Sequence, residues 1–146
     1  PGRPTRLASG TSTSSIVKGF EYSGFTAPML DKVAKTDNTG TGTSRSSGTT
    51  ATTTAAVELC VAAIGLGNTV SAASWSNSFA TEWRYPSNPV DIVGKLVTAA
   101  TGAQETTLTW TTSRISGGII ATFMDTPVSA TRAPSGGVSY SPGGYY

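Results

Sequence analysis

The sequence predicts an all-β fold, an antiparallel β-sandwich, on three observations. Residues 49–67 (TTATTTAAVELCVAAIGLG) place Val57, Leu59, Val61 and Ala63 on one side of an extended strand and Cys60, Ala62, Ile64 and Leu66 on the other. From Cys60 onward both faces are apolar, the pattern of a central strand covered on both sides. The β-branched leader Thr52-Thr53-Thr54 and the closing Gly65, Gly67 and Asn68 favour a strand over a buried helix. Second, residues 79–85 alternate Phe79, Thr81, Trp83 and Tyr85 with Ala80, Glu82 and Arg84, as a half-buried strand does. Third, turn signals recur at the short intervals of a sandwich or barrel.

Taken in order, residues 1–15 are an arm of Pro, Gly, Ser and Thr with Leu7 as almost its only apolar side chain. Residues 16–22 (IVKGFEY) form the first predicted strand, with Ile16, Phe20 and Tyr22 on one face, closed by Ser23-Gly24. Residues 25–47 read as a long connection, with one short helical turn or bulged strand around Met29, Leu30 and Val33 and then a low-complexity loop. After the spine at 49–67 comes a short extended piece at 69–73, with Trp75 in a loop between Ser74 and Ser76. The strand at 79–85 stops at Pro86 and Pro89, and residues 91–100 (DIVGKLVTAA) form the next. Residues 106–112 (TTLTWTT) are a strand with Leu108 and Trp110 on one face; Ser116-Gly117-Gly118 is expected to turn the chain into a last strand at 119–124. The expected organisation is thus an arm (1–15), a sandwich domain (16–126) and a Gly/Pro/Tyr-rich tail (127–146). Leu59, Val61, Ile64, Ile120 and Phe123 are the expected core.

Composition narrows the function. A chain of 146 residues suits one domain with one core. Charged residues make up only 12%, against about 25% in ordinary soluble domains, while 44 residues are Ser or Thr. The ten Lys and Arg are scattered singly, giving net charge +2 and no stripe to follow a phosphate backbone, so nucleic acid is not an expected partner. No histidine is present, which removes the commonest general base and metal ligand. Cys60 is the sole cysteine and sits in the apolar strand, the place of a small buried hydrophobe rather than a reactive thiol. No apolar run approaches the ~18 residues of a membrane span and no signal peptide is visible.

The eight carboxylates show no spacing that singles out a catalytic pair. Asp37-Asn38 lacks the spaced ligands and closing Glu of a calcium loop, and Gly40-Thr41-Gly42 is followed by no Gly-Lys-Ser/Thr. No catalytic, cofactor-binding or metal-binding residue is therefore assigned, no cofactor is expected, and the chain reads as a non-enzyme. Trp75, Trp83, Tyr85 and Trp110, with Asn77 and Asn88, are candidates for a sugar-stacking surface in which aromatic faces meet C–H groups and amides bind hydroxyls. The competing reading packs Trp83 and Trp110 in the core or its rim.

Four segments carry a resemblance: FEYSG at 20–24, TTTAAVELCVAAIGLGN at 52–68, the region of Trp75 and 79–85, and SGGIIATFMD at 116–125. Together they resemble the jelly-roll-like β-sandwich modules of phage tail and virion-surface proteins and of secreted bacterial proteins. The resemblance implies a non-enzymatic virion component, a minor tail or capsid decoration protein of a bacteriophage, located in the particle and assembling with other virion proteins or copies of itself as a homo-oligomer. The alternative it leaves open is a secreted or cell-surface carbohydrate-binding or adhesin module. Modules of this kind carry further strands before the EYSG motif, where this chain has fifteen low-complexity residues. A chain opening on Pro1 is accordingly expected to pair, through Ile16, Lys18, Phe20 and Tyr22, with a strand from a separate amino-terminal fragment or a neighbouring copy.

Overall fold

The computed structural model describes residues 19–25, 28–37, 40–85, 87 and 90–125. Among them lie seven antiparallel strands: β1 (Pro28–Thr36), β2 (Thr41–Ser46), β3 (Glu58–Leu66), β4 (Ala73–Trp75), β5 (Ala80–Arg84), β6 (Val90–Val97) and β7 (Thr107–Asp125). The fold is all-β, and no helix among the described residues is long and apolar enough to cross a membrane. The main ladder runs β1-β7-β3-β6-β5, and β2 and β4 also pair with β7.

The 19-residue β7 organises the molecule, more than the β3 spine does. Its first half takes β2 on one side and β4 on the other, and its second half takes β1 and β3. Leu108 and Trp110 from the first half then pack against Ile64 and Leu66 of β3 and Val90 and Ile92 of β6. The sheet thereby folds over on itself in a sandwich-like way. A second cluster joins Cys60, Ala62, Phe79 and Ile120.

The turn expected at Ser116-Gly117-Gly118 is absent, because these residues continue β7. A Cβ on Gly118 would lie 2.5 Å from the Ser46 carbonyl oxygen and 2.6 Å from Ile64 Cδ1. The glycine permits a close approach of chains rather than a reversal. In the long connection predicted at 25–47, the bulged-strand alternative around Met29, Leu30 and Val33 is the one found, as β1 with its register shift between Leu30 and Lys32, while the low-complexity loop after it is corrected, since it contains β2. β2 (TGTSRS) has no apolar side chain to announce it and is held by its backbone ladder to β7. Nor do residues 19–22, the described part of the predicted first strand, form a strand. Trp75, placed in a loop by the sequence, belongs to β4. In β5 a bulge between Thr81 and Trp83 breaks the expected alternation. Phe79 consequently enters the core, while Trp83 turns to the opposite face beside Val93.

The Ser/Thr-rich approach to β3 is built rather than loose. The N–H groups of Ser47, Thr50 and Thr53 donate to the carbonyls of Thr106, Gln104 and Gly102 (2.8, 3.0 and 3.0 Å). The hydroxyls of the same three residues accept from the N–H groups of the same three partners (3.1, 2.9 and 3.2 Å). Each rung uses a hydroxyl where a β-ladder uses a carbonyl, with a period of three residues on one side and two on the other. All three hydroxyl residues are buried, which is affordable only because their polar atoms are paired.

Candidate functional site

The alternation of β3 and β7 creates two unlike faces. Cys60, Ala62, Ile64, Ile120 and Thr122 turn inward, all fully buried. The register sets Leu59 opposite Phe123, Val61 opposite Ala121 and Ala63 opposite Ile119 on the outer face. Leu30 and Val33 of β1, and Val97 of β6, extend this outer surface. Only part of it is covered. Of the expected core, Leu59, Ile64 and Ile120 are buried, but Val61 and Phe123 are only partly so. The expectation that β3 is covered on both sides is corrected accordingly.

The partial cover is the segment 19–25. Phe20 stacks on Tyr22 (6.5 Å, 18°) and meets Trp83 edge-on (6.2 Å, 72°). Lys95 Nζ sits 5.7 Å from the Tyr22 ring centroid and 2.6 Å from Glu82 Oε2. Burial, and then the Glu82 charge, push the Tyr22 phenol above its ordinary value, with Lys95 opposing them. The hydrogen bond from Lys95 to Glu82 raises the ammonium's own pKa against partial burial.

Between this segment and β7 runs a groove of about 440 Å³, floored by the small side chains Val61, Ala63 and Ala121 and walled by Phe20, Tyr22, Phe25, Ile119 and Phe123. A second hollow of about 560 Å³ adjoins it past Tyr22, toward Val57 and Val97. No carboxylate, amine or thiol lines the first groove. Its chemistry is therefore burial of apolar surface, not proton transfer. Cys60 lies on the other face of β3, where burial and the Glu58 charge push its thiol up to about 11.

The acids instead fasten the chain. Asp31, at the β1 bulge, accepts from Thr54 N–H (2.7 Å), Thr54 Oγ1 (2.7 Å) and Lys32 Nζ (2.6 Å). Lys32 first, and the Thr54 bonds after it, hold its carboxyl well below the usual carboxylate range. Glu58 accepts from Ala55 N–H at the start of β3 (2.9 Å). Glu105 accepts from Thr49 and Ser46 hydroxyls (2.6 and 2.9 Å), which lower its pKa. Asp37 pairs with Lys35. No group of three or more metal-ligating side chains occurs among the described residues.

The aromatic candidates are divided between the faces. Trp83 and Tyr85 lie together, 6.0 Å apart and tilted by 33°, and Trp83 reaches the outer-face segment through Phe20. Trp75 lies on the inner side, 6.3 Å from Phe79 and close enough to Gly94 that a Cβ there would approach its ring to 2.7 Å. Asn77, in a left-handed conformation (φ 53°), donates its amide to the Glu105 carbonyl (2.7 Å). Asn88, Ile16 and Lys18 lie outside the described residues, and Phe20 and Tyr22 reach the site through their rings. The sequence reading did not single out Phe25 or Ala121. The signal available for them was the run of small residues at 61, 63 and 121, which leaves a depression once β3 and β7 pair. No family model, curated protein or solved structure matches this chain.

Proposed function

We propose that this protein is a non-enzymatic structural component of a bacteriophage virion, a minor tail or capsid decoration protein, which acts by packing its outer sheet face against other protein. The observation that carries the proposal is the exposure of large apolar side chains on the outer face: Val57 and Val97, at the hollow that adjoins the groove, are 66% and 62% exposed. Contiguous apolar surface of this kind marks contact sites in folded proteins. The choice of a virion rests on the sequence resemblance, as does jelly-roll connectivity. The hydroxylated surface, poor in charge, suits close packing between subunits.

The test is fractionation. Particles produced by the phage or prophage that encodes the chain are banded on a density gradient and blotted for it. Co-banding at fixed stoichiometry is expected; a chain confined to the soluble fraction overturns the reading.

The paired rings of Trp83 and Tyr85 favour one alternative, a secreted or cell-surface carbohydrate-binding module. It predicts quenching of tryptophan fluorescence by a polysaccharide and loss of that response in Trp83→Ala. A glycan array without a hit would remove this alternative.

A further inference from the structure

We infer that the groove is filled by a second copy of this chain, packed face to face so that the ridge formed by Leu30 and Val33 of each copy enters the groove of the other. This rests on the reading of the outer face as the contact surface, and it names the partner. Ridge and groove lie side by side. Leu30 and Val33 stand on β1, 53% and 50% exposed. The floor residues Val61, Ala63 and Ala121 lie on β3 and β7, so ridge and groove are one to two strand spacings apart, about 5–10 Å. A two-fold axis parallel to the strands, lying in the interface between ridge and groove, sets each ridge over the opposite groove and closes the assembly as a dimer.

Charge and edge geometry favour a copy over another partner. The lysines at the margin of the face are already paired within the chain: Lys95 with Glu82 (2.6 Å), Lys35 with Asp37 (3.0 Å) and Lys32 with Asp31 (2.6 Å). A second identical surface therefore meets no unpaired lysine among the described residues. Pairing through the edge of β1 is disfavoured by Pro28, by the bulge at Asp31 and by Lys32 and Lys35, features that blunt an edge strand. The apolar face is left as the route of approach.

Sedimentation velocity and light scattering on the full 146-residue chain decide the matter. The expected mass is twice 14.8 kDa. Val33→Glu is expected to weaken the dimer by about tenfold or more with unchanged near-UV circular dichroism, because a carboxylate is forced into an apolar contact. Ala121→Arg, which fills the groove floor, is expected to do the same. Thr109→Glu, on the far hydroxylated surface, should leave the mass unchanged. A wild-type monomer at every concentration overturns the inference, including a monomer whose groove is closed to an environment-sensitive dye, which would assign the groove to another part of the same chain. A dimer insensitive to Val33→Glu overturns it as well. A monomer that still bands with particles would reject the second copy and keep the virion reading, while a dimer found only in the soluble fraction would do the opposite.

Discussion

Ile119 and Ile120 are the same amino acid on adjacent positions of β7, yet Ile120 is fully buried and Ile119 is 47% exposed. Ile120 points to the folded-over half of the sheet, where Cys60, Ala62 and Phe79 meet it. Ile119 points to a face whose cover is one short segment. Hydrophobicity thus predicts that a side chain will seek cover, while the available partner decides whether it finds any within the chain.

The largest effect that could break this comparison is Ile120→Ala, expected to cost about 2–5 kcal/mol in urea unfolding, as for other cavity-forming core truncations. A loss under half of that range would mean that the inner face is not the core. Gly118→Ala sharpens the role of the fold-over: the new methyl would press on the Ser46 carbonyl oxygen at 2.5 Å, an overpacking expected to cost about 1–3 kcal/mol.

Thr50→Val and Thr109→Val extend the contrast to hydroxyls. Thr50 is buried and accepts from Gln104 N–H, so its loss leaves a donor without a partner and should cost about 1–3 kcal/mol. Thr109 is exposed and bonds Ser74 across the surface, so its loss should fall within about 0.5 kcal/mol of zero. Equal effects would refute the buried ladder as a stabilising element.

Acid should act through the fastening carboxylates. Asp31 and Glu105 are both depressed in the folded chain. The stability they contribute is present above their ordinary values of 3.8 and 4.5 and is lost as pH falls through the lower folded values. Asp91, raised by burial, has the opposite sign and partly offsets them. Glu105→Gln should therefore flatten the decline of stability below about pH 4.5; an unchanged slope would remove Glu105 from the account. The smallest effect belongs to Ile119→Ser, within about 0.5 kcal/mol in the isolated chain. A loss of several times that would show that the outer face is a second core.

Much of the fold was legible. The strands at β3, β5 and β6 follow from runs and alternations of apolar side chains, and the inner and outer sets of β3 follow from period two alone. β2 was not legible, because its identity lies in backbone bonds to β7 and its side chains carry no hydrophobic signal. The ladder of Ser47, Thr50 and Thr53 was hidden by a period of three in a composition that otherwise reads as loop. Trp83 and Phe79 were assigned to one face because a bulge adds a residue that alternation cannot anticipate.

For the candidate site, the sequence by itself determined the material: apolar side chains on both faces of β3 and of the second half of β7, no histidine, one cysteine and few charges. Only the tertiary structure decided which face is buried, that Gly117 and Gly118 continue a strand, and that Phe20, Tyr22 and Phe25 wall a groove. The physical reason is that side-chain chemistry and period are local to the chain, whereas cover is supplied by residues tens of positions away. The partner of Ile120 on β3 is Ala62, and no local pattern names it.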